Sequence, residues 1–236
     1  MTKSRYEDAA ATACAAACPW PHDICTVIES QTFDPPPWIV VLGPVRPRGD
    51  PAGAVLRNGV RVVDWGPTAR ADMAFSVTKS YIGLLAAVAL DRGLIADFAL
   101  PVAQSIDDPA FASTRNRQVT WRQLLDQTSE WGGSVFGIPD TVDRDRQLAP
   151  TDDQTRFDRA TPLHPPGSYW DYNDTRVNAL CLALTRLFGR TLPEVLADLH
   201  PAFADRQTWA WDGYGPRSTI MLGDVPTEVV AGWWRR

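Results

Sequence analysis

Ser76 and Lys79 stand three residues apart in "ADMAFSVTKSYIG" (residues 71–83), in a chain with 21 arginines and only two lysines, Lys3 and Lys79. A serine hydroxyl becomes a useful nucleophile at neutral pH only when a neighbouring base takes its proton. A lysine amine can be that base if burial or nearby positive charge lowers its pKa, whereas an arginine stays protonated. On a helix that begins near Ser76, the spacing puts hydroxyl and amine on one face, about a turn apart. The helix N-terminus adds N–H groups and a dipole that favour negative charge developing beside the serine. A chance Ser-x-x-Lys has a frequency on the order of 8% in such a composition, so the spacing counts only in its context. That context is an aromatic stretch followed by an apolar helix. The rival Ser-His-Asp arrangement would show G-x-S-x-G. The nearest match, Gly132-Gly133-Ser134-Val135-Phe136, fails at its last position, and His164 lies in the turn-like "LHPPG".

The elements that must position this pair are legible around it. Residues 1–32 read as one or two short helices, and 33–51 as an extended segment too rich in proline for a helix. Asn58-Gly59 between the β-like runs 54–57 and 60–65 predicts a hairpin, because both turn positions favour φ > 0. Residues 76–92 predict a helix, since Val77, Tyr81, Leu84, Leu85 and Val88 recur at i, i+3, i+4 spacing, with Gly93 as its stop. "VTWRQLLDQTS" predicts a helix capped by Thr120, with Leu124 and Leu125 inward. Residues 132–171 form a long polar segment whose acids (Asp140, Asp143, Asp145, Asp152 and Asp153) fit no EF-hand spacing and read as a solvated rim. "DTRVNALCLALTRLFG" predicts an amphipathic helix ending at Gly189. "TLPEVLADLH" predicts another, with Thr191 as cap and Pro193 in its first turn. The tail from 207 carries strand-like pieces, "STIMLG" and "TEVVAGWW".

In this order, four segments resemble the serine β-lactamase-like hydrolases, the group of class C β-lactamases, D-alanyl-D-alanine carboxypeptidases, esterases and 6-aminohexanoate-dimer hydrolases. They are "FSVTKSYIGLLAAVALDRGLI", "VTWRQLLDQTSEW" (a helix ending in a Thr-Ser-Gly-like turn), "PPGSYWDYNDTRVNALCLAL" and "GRTLPEVL", together spanning about residues 54 to 200. The resemblance implies an α+β fold of the β-lactamase/transpeptidase kind, an antiparallel sheet plus a helical lobe at about 76–200, in one domain over 1–236. It implies that Ser76 is acylated, that Lys79 is its proton partner, and that Tyr172 is a second base and proton shuttle. The oxyanion would be held by the Ser76 N–H and by one N–H from a late strand. Two departures qualify this. The family's Tyr-x-Asn reads Tyr172-Asn173-Asp174, and a carboxylate near Lys79 favours the ammonium. Asp174 could instead, or also, cap the following helix. The family's closing Lys-Thr-Gly or His-x-Gly strand is absent, since no Lys follows Lys79 and no His follows His200. The expectation is therefore a C-terminally truncated chain with an incomplete sheet, whose exposed edge could pair with a second copy.

Trp131 and Trp170 are the substrate-side candidates. Trp170 lies two residues before Tyr172, on the same face of an extended segment. Either the two tryptophans line an apolar acyl pocket or they are core anchors. A net charge of -5 and a pI near 5.2 argue against nucleic acid. No apolar run reaches a membrane span, and "MTKSRYEDAAATACAAAC" carries Glu7 and Asp8 before an Ala-rich part that is not the strongly apolar middle of a secretory signal, so the reading is cytoplasmic. Cys14, Cys18, Cys25 and Cys181 include no CxxC, and no metal or other cofactor is expected. Two functions remain. One is a serine hydrolase for a small-molecule amide or ester. The other is a silent remnant of that fold, binding a ligand or partner without turnover.

Overall fold

The computed structural model describes residues 3–17, 19, 21–28, 30, 37–38, 46–142, 144, 162–204 and 209–235. In chain order its helices are α1 (Lys3–Ala15), α2 (Ile24–Ile28), α3 (Thr78–Asp91), α4 (Trp121–Leu125), α5 (Asp174–Phe188), α6 (Leu192–Ala197) and α7 (Pro201–Ala204). Its strands are β1 (Gly53–Arg57), β2 (Val60–Trp65), β3 (Ser134–Val135), β4 (Ile138–Pro139), β5 (Ala210–Gly213), β6 (Thr219–Leu222), β7 (Val225–Glu228) and β8 (Val230–Arg235).

The predicted hairpin is β1–β2, with Asn58 at φ 51° and Gly59 at φ 78°, the left-handed pair its turn requires. It is mostly exposed, and α1 packs against both of its strands. Among the described residues the strands form four separate antiparallel ladders, β1–β2, β3–β4, β5–β8 and β6–β7, in place of the single sheet the resemblance implies. The sequentially distant ladder β5–β8 sets β8 beside α3, α5 and the 3-10 turn that carries Ser76.

α3 and α5 cross in the core, with α4 and α6 packed on α5. The buried face of α3 is Thr78, Ile82, Leu85, Ala86 and Ala89, whereas Val77 is 61% and Leu84 44% exposed. The buried face is thus rotated from the recurring apolar set, with only Leu85 in common. α3 is apolar almost all round, so periodicity alone does not choose its core face. α5 is buried along nearly its whole length and ends on Gly189 at φ 64°. Its cap is Asn173, whose side chain accepts from the Arg176 N–H, so Asp174 stands inside the first turn and is not the cap. α4 is shorter than predicted: Thr120 and Gln123 form a capping box, and the helix stops before Gln127 at φ 64°. α6 starts as predicted, with a Thr191–Glu194 capping box and Pro193 in its first turn.

The expected extended stretch 33–51 and the acids Asp143, Asp145, Asp152 and Asp153 fall largely or wholly outside the described residues. Among the described residues no helix is long and apolar enough to cross a membrane, and no cluster of His, Cys, Asp and Glu could hold a metal ion.

Candidate active site

Ser76 sits in a 3-10 turn, Phe75–Val77, that runs directly into α3. Phe75 takes φ 43°, a region costly for a bulky side chain, so the backbone strain falls immediately before the nucleophile candidate. The turn leaves Ser76 exposed and sets Lys79 in the first turn of α3. Lys79 Nζ donates to Ser76 Oγ at 3.1 Å. It also lies 2.7 Å from Asp174 Oδ1, and 4.8 Å from the centroid of the Tyr172 ring. Ser76, Lys79, Tyr172 and Asp174, which the sequence separates by almost a hundred residues, therefore meet around one ammonium.

That ammonium is stabilised. Burial pulls the Lys79 pKa down, but the Asp174 carboxylate and then the Tyr172 hydroxyl outweigh it and raise the pKa above its ordinary 10.5. In this state the amine donates to Ser76 and has no lone pair with which to accept its proton. Cys181, seven residues after Asp174 on α5, is fully buried, and desolvation pushes its thiol up to about 12, which makes it inert.

The two tryptophans separate. Trp131 is fully buried and meets Phe111 edge-on with centroids 5.0 Å apart, so it is a core anchor. Trp170 is 60% exposed on the segment leading to Tyr172, and beside it Tyr169 stacks on His164 at 4.4 Å. Trp131 thus lies in the core and Trp170 at the surface. His164 is a loop residue, as its surroundings in the sequence imply. Its N–H donates to Glu130 Oε2 at 2.7 Å, and its carbonyl accepts from Arg115 at 2.7 Å.

Sequence reasoning missed the polar cluster beneath Tyr172. Arg176 has no exposed surface. Its guanidinium meets Glu130 at 3.0 Å, Asp171 Oδ2 at 3.3 Å and Asp140 Oδ1 at 3.4 Å, and donates to the carbonyls of Gln127 and Asp171, each at 3.2 Å. Asp140, expected on a solvated rim, is 2% exposed within this cluster and also pairs with Arg144. The correction has a physical cause: two guanidinium groups and the Asn173 amide supply it with partners, and a partnered carboxylate can be buried. Burial nevertheless raises its pKa, and the Glu130 carboxylate adds to that, with Arg144 and Arg176 only partly offsetting both. Glu130 itself sits at φ 48°, where the resemblance puts a glycine. A left-handed conformation costs a non-glycine residue about 1–2 kcal/mol, and the ion pair to Arg176 gives this turn a reason to keep a glutamate. The one available signal was an arginine three positions into the predicted helix, where the macrodipole disfavours a cation.

An α+β chain with a Ser-x-x-Lys pair heading an apolar helix and a tyrosine beside the lysine has the arrangement of the penicillin-binding and β-lactamase fold. Residues 52–200, well over half of the chain, match the family model described as Beta-lactamase, and the chain belongs to that family. It is also similar to the penicillin binding protein from Bacillus halodurans, at 18% identity and a TM-score of 0.40. That likeness covers 68% of this chain and 55% of the other, so the chain spans little more than half of that protein's length. No curated protein matches the chain.

Proposed function

We propose that this protein is a serine hydrolase that cleaves a small-molecule amide or ester through an acyl-enzyme on Ser76. The observation that carries the reading is the 3.1 Å contact between Lys79 Nζ and Ser76 Oγ, with Tyr172 against the same amine. Once the Lys79–Tyr172 pair has released a proton to solvent, a form that grows as pH rises, Ser76 Oγ attacks the substrate carbonyl carbon and its proton passes to that pair as the tetrahedral oxyanion forms. The oxyanion takes the Ser76 N–H, and β8, which runs beside the 3-10 turn, is the strand in reach to supply a second donor. The carbon–nitrogen or carbon–oxygen bond then breaks, and the leaving group takes the proton from the pair. Water, giving a proton to the same pair, attacks the acyl carbon; the bond to Ser76 Oγ breaks, the pair returns that proton to Oγ, and the acid leaves. Trp170 offers the exposed apolar surface on which an acyl or leaving group would lie.

The test is turnover of p-nitrophenyl esters, anilides and a chromogenic β-lactam by the wild type and Ser76→Ala. Hydrolysis of an ester or anilide that disappears with Ser76→Ala supports the reading. Turnover of the β-lactam in preference to both would redirect the substrate class. One observation favours a second reading, a fold that binds ligand without turnover: Asp174, 2.7 Å from Lys79, holds the amine as an ammonium. Ligand binding with no Ser76-dependent turnover at any pH would select it.

A further inference from the structure

Tyr172 carries a role in the proposed reaction, and what fixes its position lies beneath it. Three backbone groups of its two neighbours are tied to just two residues. The Asp171 N–H donates to the Gln127 carbonyl at 3.2 Å, and the Asp171 carbonyl accepts from Arg176 Nη1 at 3.2 Å. On the other side, the Asn173 N–H donates to Gln127 Oε1 at 2.9 Å. Arg176 Nη1 also donates to the Gln127 carbonyl at 3.2 Å, which closes the set.

We propose that Gln127 and Arg176 are positioning residues that clamp the backbone on both sides of Tyr172 and so hold its hydroxyl at Lys79. This rests on the reading of Tyr172 as a proton-transfer group. The clamp is built for geometry as well as for charge. The three guanidinium nitrogens lie 3.0–3.4 Å from five oxygens contributed by Gln127, Glu130, Asp140 and Asp171. A planar fork with five N–H groups can reach oxygens spread this way, and a lysine ammonium cannot. Gln127 and Glu130, at φ 64° and 48°, form a turn that local sterics disfavour, so these contacts hold it in place. Misplacing a reacting group by about 1 Å can cost on the order of 10²-fold in rate.

The experiment uses the full chain labelled with 3-fluorotyrosine, whose five tyrosines give separate 19F signals, with Tyr172 assigned by Tyr172→Phe. Gln127→Ala removes the Oε1 acceptor from a half-buried side chain, and Arg176→Lys keeps the charge but not the fork. The expected result is that both variants shift or broaden the Tyr172 signal and leave the other four in place. With a p-nitrophenyl ester, Gln127→Ala lowers kcat about tenfold with KM within about twofold of wild type. If the effect runs through Tyr172, that loss shrinks to within about twofold in a Tyr172→Phe background, whereas a general structural defect would persist there. An unchanged Tyr172 signal in Gln127→Ala overturns the clamp, and so does an undiminished loss in the Tyr172→Phe background. Should Arg176→Lys fail to fold, Gln127→Ala alone decides. Wild-type turnover by Tyr172→Phe would instead remove the catalytic reading of Tyr172, and the 19F signal would still judge the clamp separately.

Discussion

Replacing Asp174 by Asn removes the carboxylate 2.7 Å from the Lys79 ammonium while keeping the side chain's size. Unit charges about 4 Å apart in an effective dielectric of about 20 attract by about 4 kcal/mol. The two side chains are 18% and 19% exposed, and solvent screening reduces that figure. A neighbouring carboxylate favours the ammonium, so its removal lets the Lys79 pKa fall. The sign follows from the balance at Lys79. With Asp174 gone, burial, which acts to lower the pKa, loses its main opponent. The assay is kcat/KM for a p-nitrophenyl ester between about pH 6 and 10. The rising limb of Asp174→Asn is expected at lower pH than that of the wild type, with about tenfold or more activity at pH 7. A limb that stays in place, or moves to higher pH, refutes the claim that the Asp174 ion pair sets the protonation of the site.

Other outcomes follow from burial. Cys181 releases its proton near 9.0 when unfolded and only at about 12 when folded, so the folded state binds more protons across that window and stability falls as pH rises through it. Between pH 8 and 10 this contributes a loss of about 1.4 kcal/mol, below the range in which Lys79 titrates. Urea titrations of Cys181→Ala should show a correspondingly flatter pH dependence, and an unchanged slope would deny the buried thiol that role. Trp131→Ala should lose about 3–5 kcal/mol, a fall in Tm of roughly 6–20 °C by calorimetry. Trp170→Ala should leave Tm within about 2 °C, because its ring is largely exposed, and should raise KM for long-chain more than for short-chain esters. A chain-length series with unchanged ratios would remove Trp170 from substrate binding.

The parts written in local rules could be read from the sequence. Asn58-Gly59 gave the hairpin, Thr120 and Thr191 marked helix starts, and Gly189 marked a stop, because each acts within a few residues. The Ser76–Lys79 spacing was legible for the same reason, and the resemblance supplied Tyr172 and Asp174 as distant companions. What was not legible depended on partners far along the chain. Asp140 looked like one solvated acid among several until Arg176, 36 residues later, folded onto it. Trp131 and Trp170 looked alike as sequence, and only packing against Phe111 made one of them core. The core face of α3 was not legible because nearly every face of that helix is apolar. The left-handed backbones of Phe75, Gln127 and Glu130 carry no composition signal, since no glycine or asparagine marks them.

The central claim is that Ser76 is an activated nucleophile, and covalent capture tests it most directly. The folded protein is incubated with a fluorophosphonate and digested with trypsin, and the peptide Ala71–Lys79, which contains Ser76 as its only serine, is examined by mass spectrometry. The account predicts a phosphonyl adduct on Ser76 whose rate of formation rises with pH, increases in Asp174→Asn and vanishes in Ser76→Ala. An unmodified Ala71–Lys79 peptide across that pH range, from protein shown to be folded, would contradict it.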